Sequence, residues 1–349
     1  MSQSALGKNR APGKASAMDD NKRRWIAENL ILGAKPEVIA DALGRQGFSK
    51  KTIEAEIAAA SSSPYLLGVQ RAAARLRKRD WLLRTYEEHR RLLPNAAEIP
   101  RRTGISKDEF LEKYYAAHLP VILTDLVSDW PAMTRWSLDY FEEKIGGDTE
   151  IELQFGRDQA EDYEIRNDDF KRRLPFKTYL SMLRRGERTN NYYCTANNGS
   201  YNRGVFDPLW EDIRPLPDFL EPNAAHDGFF WLGPPGTVTP FHHDLTNNLL
   251  VQVIGRKRLL IASSYQTPDM RNHRHVYSHW TGKDFAPDAP AAPGKPRLIE
   301  CMLEPGEAIF LPIGWWHYVE GLDMTVSLSF TNFIWRNDFS KSYTEYGSL

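Results

Sequence analysis

Disulfide chemistry is all but missing from this chain of 349 residues, which holds two cysteines, Cys194 and Cys301. So few thiols exclude the stapled scaffold of a small secreted domain and fit a reducing, cytoplasmic setting, with both read as small buried side chains. Long apolar runs are absent too. None reaches the roughly 20 residues that a membrane-spanning helix needs, and the opening M-S-Q-S-A-L-G-K-N-R-A-P-G-K-A-S has no apolar core for a secretory signal. Residues 1–20 instead read as a disordered lead. Charge of one sign is lacking as well: 45 Lys and Arg against 46 Asp and Glu leave a formal net charge of −1. No global field draws the chain to nucleic acid or to a membrane, so a partner must be recognised locally. A hydrophobic content of 41% is enough for a sizeable core in one large or two modest domains.

What is present begins with helices. Over 21–95, Trp25, Ile26, Leu30 and Ile31 recur at helical spacing and stop at Gly33, a C-terminal cap. A second helix starts at Pro36 and runs through Ile39 and Leu43 to Gly47, and Ser49 caps a third that carries Ile53 and Ile57. After S-S-S-P a longer helix spans 65 to about 92. Its Arg71, Arg75, Arg77, Lys78 and Arg79 are interleaved along the helix with Asp80, Glu87 and Glu88, the signature of a solvated face. Its apolar members Leu66, Leu67, Val69, Leu76, Trp81 and Leu82 are expected to pack on the catalytic domain or on a second copy, a route to a homodimer.

Residues 96–340 read as the catalytic domain and 341–349 as a tail. Helices are expected at 110–118 and 138–145, and strands at 121–124, 150–155 and 192–195. The doubly charged stretch 157–173 reads as an exposed loop near the pocket mouth. After Phe229 come about eight short, turn-punctuated strands, the pattern of a double-stranded β-helix. The fold class is therefore mainly β with helical additions, a jelly-roll, cupin-like barrel with its pocket inside. An insertion at 265–297 is expected to be a loop with surface histidines His273, His275 and His279, and the last core strand to run over 324–335.

The chemistry concentrates in two stretches, T-P-F-H-H-D-L-T-N-N-L-L-V-Q-V-I-G-R-K-R at 239–258 and P-G-E-A-I-F-L-P-I-G-W-W-H ending at His317. Side chains at i and i+2 of a strand leave one face, so His242 and Asp244 converge while His243 points away. With His317 they make a set of one carboxylate and two neutral imidazoles. That set suits divalent iron with three octahedral positions left open, although ligand type alone also admits zinc. The run 249–254, the turn at Gly255-Arg256 and the strand 257–262 read as a hairpin. Alternation then puts Arg256 and Arg258 on one face and Lys257 inward with Leu259 and Ile261. An inward lysine needs an anion, because an unpaired buried charge is too costly to keep; a dicarboxylic cosubstrate supplies one.

Thr239-Pro240-x-His242-x-Asp244, Asn248, Gly255-x-Lys257-Arg258 and Pro312-x-x-Trp315-Trp316-His317 together resemble the Jumonji C and cupin-like 2-oxoglutarate oxygenases. The likeness is greatest to the branch with the asparaginyl hydroxylase of the hypoxia-inducible factor, and it covers roughly 97–335. The resemblance implies Fe(II) on His242, Asp244 and His317, and the distal carboxylate of 2-oxoglutarate on Lys257 and Thr239. A tyrosine of the Tyr192-Tyr193-Cys194 strand would join that carboxylate, either Tyr192 or Tyr193, and Asn248 would line the pocket. Ser329 and Thr331 depart from the asparagine and tryptophan of that branch. The implied activity is an Fe(II)- and 2-oxoglutarate-dependent dioxygenase that hydroxylates a C–H bond on a protein or peptide side chain. A small-molecule hydroxylase, or a non-oxygenase cupin that binds or isomerises a metabolite, are the alternatives, and no specific nucleic-acid partner is expected. Lysine demethylation ranks third, behind the two hydroxylase readings, for want of a recognisable methylammonium pocket.

Overall fold

A computed structural model describes residues 18–221, 228–289, 292 and 294–343. The chain divides into two compact units, Met1–Leu82 and Leu83–Leu349.

The first unit holds α1 (Asp20–Ile31), α2 (Pro36–Arg45), α3 (Lys50–Ser62) and most of α4 (Pro64–Arg90). Asp19 caps α1 by accepting from the Lys22 amide at 2.8 Å, and Ser49 caps α3 by accepting from the Thr52 amide at 3.1 Å. Gly33 and Gly47, both at φ +89°, let the chain leave α1 and α2 through the left-handed region. Ile26, Ile39, Leu43, Ile53 and Ile57 form the core of the module. Met18 joins them at 2% exposure, so the end of the expected disordered lead is packed, while residues 1–17 lie outside the described residues. Of the apolar residues named for α4, Leu66 is buried, whereas Leu67, Val69, Leu76, Trp81 and Leu82 are exposed.

Among the described residues, the second unit is built on fifteen strands. Ahead of the barrel come β1 (Arg101–Arg102), β2 (Val121–Leu123), β3 (Glu150–Phe155), β4 (Lys171–Pro175) and β5 (Tyr192–Tyr193). Then follow β6 (Phe229–Gly233), β7 (Val238–His243), β8 (Asn248–Ile254), β9 (Lys257–Ala262), β10 (Asn272–Arg274) and β11 (Tyr277–Ser278). β12 (Ile299–Leu303), β13 (Ala308–Leu311), β14 (Trp316–Gly321) and β15 (Thr325–Phe330) complete the set. One sheet has the order β1-β2-β13-β8-β15-β6, a second β10-β11-β7-β14-β9-β12, and a small third β4-β3-β5. The eight strands β6–β9 and β12–β15 are the jelly roll. The helix Leu138–Ile145 and the strand β3 occupy the residues expected of them, and the helix at Lys107–Phe110 widens into a π-turn over Leu111–Tyr115.

Strand alternation sorts the barrel side chains into layers. Leu249, Val251, Phe310, Leu328 and Phe330 face one apolar layer together with residues of the preceding helices. Phe241, Leu260, Ala262, Trp316 and Tyr318 face another, beneath the insertion after β9. Leu250, Leu259, Ile261, Ile309, Leu311 and Val319, drawn from both sheets, fill the space between them. The barrel interior is thus apolar there. The polar members of β15 are buried as well: Ser327 donates to Gln252 Oε1 at 2.7 Å.

Four expectations are corrected. β8 and β9 are not a hairpin: β8 pairs with β13 and β15, and β9 with β12 and β14, so the turn at Gly255-Arg256 carries the chain from one sheet to the other. That corner needs Gly255, at φ +68°, because a Cβ there would lie 2.2 Å from the Met324 carbonyl oxygen. The last core strand ends at Phe330 rather than 335. The stretch 157–173 is no exposed loop, since Arg157, Tyr163, Glu164 and Phe170 are buried and β4 pairs with β3. The insertion after β9 carries the β10–β11 hairpin, paired onto β7. Cys194 and Cys301 are buried free thiols, and among the described residues no helix is long and apolar enough to cross a membrane.

Candidate metal centre

β7 and β14 are antiparallel neighbours, and their register sets His317 directly opposite His242. Paired residues share a face, so the two imidazoles project together, with ring centroids 4.2 Å apart. Asp244 follows β7 and completes the group. Its Oδ1 lies 3.7 Å from His242 Nε2 and its Oδ2 3.9 Å from His317 Nε2. One ligand atom from each residue lies within 4.8 Å of the others. His243 takes the other face, its ring 4.7 Å from that of Trp316.

The protonation pattern suits a metal. His242 Nδ1 sits 2.8 Å from the Pro240 carbonyl oxygen and His317 Nδ1 2.9 Å from that of Trp315. Each Nδ1 therefore carries the proton and donates, leaving the Nε2 lone pair toward the group. Burial above all, then the neighbouring His242, holds the His317 imidazole well below its ordinary range, so it stays neutral. Burial opposes ionisation of Asp244, but the two imidazoles and a hydrogen bond from Asn248 Nδ2 to Oδ2 at 2.9 Å outweigh it and keep the carboxylate ionised. One anionic oxygen and two neutral nitrogens on one side fit a divalent transition metal.

Three residues expected to meet a cosubstrate, Thr239, Asn248 and Lys257, line one cavity of about 280 Å³ together with the triad. Lys257 is 2% exposed, and burial pulls its ammonium from an ordinary 10.5 to about 7. Its Nζ donates to the Tyr193 hydroxyl at 3.3 Å and stands 5.7 Å from the centre of the Trp231 ring. No carboxylate pairs with it among the described residues. A second unmet demand is Asn248 Oδ1, buried without a hydrogen-bond partner. A dianion would answer the first. Of the two adjacent tyrosines Tyr193 is the one at Lys257, and Tyr192 points the other way, against the rings of Phe155 and Tyr179.

Several cavity residues escaped the sequence reading. Glu164 and Asn197 line the cavity from the segment taken for a loop and from the turn after β5. The available signal was the apolar set Tyr163, Ile165 and Phe170 amid the charges. From the β10–β11 hairpin Tyr277, opposite His242 in register, and His275, at φ +45° in the turn, also line it. His275 is thus not a surface histidine; His279 is exposed, and the His273 side chain lies outside the described residues. Among the described residues the triad is the only cluster able to hold a metal ion. Ser329 and Thr331 line the cavity, and Ser329 accepts from Trp231 Nε1 at 2.9 Å.

Comparison with known proteins agrees with the cupin-like fold class. A family profile described as a cupin-like domain matches residues 107–341. The chain is similar to Lysine-specific demethylase JMJ30 of Arabidopsis thaliana, 31% identical over 70% of this chain and 56% of that protein. It is similar to Lysine-specific demethylase 8 of Xenopus tropicalis, 27% identical over 68% of this chain and 54% of that protein. It is also similar to tRNA wybutosine-synthesizing protein 5 of Danio rerio, 29% identical over 70% of this chain and 77% of that protein. The chain thus spans little more than half the length of the two demethylase-named relatives.

Proposed function

The chain belongs to the cupin-like domain family, and on that premise we propose that it is an Fe(II)- and 2-oxoglutarate-dependent oxygenase that hydroxylates a C–H bond of a protein or peptide side chain. The observation that carries the reading is Lys257, a buried ammonium without a carboxylate partner in the cavity that holds the triad. A metabolite-binding or isomerase cupin needs the metal ligands but has use for that cation only if its ligand is an anion. The choice of a protein substrate rests on the motif resemblance to protein asparaginyl hydroxylases. A cytoplasmic setting that keeps Cys194 and Cys301 reduced, and self-association through α4, belong to the same reading.

When bound, iron and 2-oxoglutarate would supply the chemistry by which dioxygen, the oxidant, gives one oxygen atom to 2-oxoglutarate, which leaves as succinate and carbon dioxide, and the other to the C–H bond, which becomes C–OH. The chain's own residues bind, orient and exclude water. His242, Asp244 and His317 would hold the metal through Nε2, a carboxylate oxygen and Nε2. Asn248 fixes the Asp244 carboxylate from behind, so its rotamer is set before metal arrives. Lys257, Tyr193 and Thr239 would take the distal carboxylate, the lysine by a charge-assisted bond. Trp231, pinned by Ser329, walls that end of the cavity from water.

The test is succinate formation from 2-oxoglutarate in air by the iron-loaded protein, with peptides and metabolites screened for stimulation. The reading predicts iron-dependent succinate that zinc suppresses, and stimulation by a peptide. A zinc-tolerant, oxygen-independent conversion would point to the isomerase alternative instead, and stimulation by a metabolite alone to the small-molecule hydroxylase.

A further inference from the structure

Besides Asp244, the cavity is lined by a second carboxylate, Glu164, and the residues around it form a built wall. Glu164 is 5% exposed. Asn197 Nδ2 donates to its Oε2 at 2.9 Å, and Arg157 Nη1 lies 2.9 Å from its Oε1. Arg157 is fully buried, donates to the Val238 carbonyl oxygen, and lies 4.3 Å and 5.2 Å from the ring centres of Tyr163 and Tyr193. A buried ion pair is weak support for stability, because an apolar pair of similar volume usually does as well. A carboxylate fixed this firmly at a cavity surface is a preorganised acceptor.

We propose that Glu164 is a specificity-determining residue that receives a hydrogen-bond donor of the substrate, and that this donor is neutral, a carboxamide or hydroxyl, rather than a cation. The proposal rests on the oxygenase reading and deepens it. A carboxylate offers about four lone-pair sites. Asn197 occupies one of them on Oε2, while Oε1, although 2.9 Å from Arg157 Nη1, is buried without a hydrogen-bond partner, so acceptor capacity remains. Its charge, by contrast, is already matched by Arg157. With a divalent metal and the 2-oxoglutarate dianion bound, the charges of Asp244 and Lys257 are matched as well, and the loaded cavity is neutral. An ammonium or guanidinium entering it would be an unmatched charge in a confined site beside Arg157, whereas a neutral donor brings none. A substrate that lacks the donor leaves the buried carboxylate short of a partner, which is how such sites reject close analogues strongly. Tyr277, opposite His242 in register, lines the same cavity as both carboxylates.

The experiment measures binding rather than turnover. Full-length protein is loaded anaerobically with manganese(II) and 2-oxoglutarate, and calorimetry follows peptides of identical Gly/Ala context that differ at one central residue: Asn, Gln and Ser against Lys, trimethyl-Lys and Arg. The neutral set should bind at least tenfold tighter than the cationic set, and Glu164→Gln should lower the affinity for the neutral set at least tenfold. Because Glu164→Gln alone leaves Arg157 unpaired, the double variant Arg157→Gln with Glu164→Gln is measured beside it and should show the same loss. The 2-oxoglutarate affinity of each protein is recorded in parallel. Tighter binding of the cationic peptides, unchanged affinity for neutral peptides in both variants, or binding of none by a wild type that holds 2-oxoglutarate overturns this inference and leaves the oxygenase reading standing. A wild type that does not bind 2-oxoglutarate removes both.

Discussion

Replacing Lys257 by methionine should make the cosubstrate-free protein more stable while weakening its hold on 2-oxoglutarate. The lysine is 2% exposed, and its ammonium is pulled from 10.5 to about 7 by burial. Above pH 10.5 the amine is neutral in both folded and unfolded chains and the burial of charge has no effect. As pH falls below 10.5 the unfolded chain takes up a proton that the folded one resists, so folding is penalised, and the penalty grows until about pH 7 and is constant below. At about 1.4 kcal/mol per pH unit the ceiling is roughly 5 kcal/mol. Water reaching Nζ through the cavity lowers that ceiling, and a stabilisation of about 1–4 kcal/mol is expected from an apolar side chain of similar length. Urea titrations of wild type and Lys257→Met at pH 7 and pH 10 measure it, with the gap wide at pH 7 and nearly closed at pH 10. In the same variant the dissociation constant for 2-oxoglutarate should rise roughly ten- to hundredfold, the worth of a lost charge-assisted bond of about 1.5–3 kcal/mol. A variant no more stable than wild type at pH 7, or a gap independent of pH, would mean that the lysine already has a partner and that its role as an anion anchor is misassigned.

Three further outcomes are expected. His242→Ala and Asp244→Ala should each lose iron binding, read by competition with a chromophoric chelator, with the circular dichroism of the fold retained; retained iron in either would remove it from the ligand set. Tyr193→Phe should weaken 2-oxoglutarate binding by about 0.5–1.5 kcal/mol, whereas Tyr192→Phe, on the opposite face, should leave it unchanged, and equal effects would void the assignment. On α4, Trp81 is 62% and Leu76 52% exposed; the wild type should sediment as a dimer at tens of micromolar, about the range of a weak helix pairing, and Trp81→Glu as a monomer. A wild-type monomer would discard the self-association.

Part of the candidate site was legible because two strand rules suffice for it. His242 and Asp244 share a face by spacing, and Lys257 turns inward by alternation with Arg256 and Arg258. What spacing does not carry is which strands pair. The run 249–254 and the run 257–262 flank a turn that looks the same whether it closes a ladder or crosses between sheets; only the partners β13, β15, β12 and β14 decide. Tyr192 and Tyr193 illustrate the same limit. Adjacent strand residues face opposite ways, and the register with β3, which pairs Gln154 with Tyr193, fixes the parity. The stretch 157–173 misled through its charges, which are satisfied locally or in buried pairs: Asp162 with Arg166 at 3.0 Å, Asp168 with Lys171 at 2.7 Å, and Glu164 with Arg157 at 2.9 Å. Charge density alone does not separate such a wall from a solvated loop.

The most direct measurement is an anaerobic titration of the iron-loaded protein with 2-oxoglutarate, following visible absorption. The account predicts a metal-to-ligand charge-transfer band that saturates with 2-oxoglutarate and is lost in His317→Ala. Iron demonstrably bound with no band at saturating 2-oxoglutarate would contradict it and leave a cupin of another chemistry.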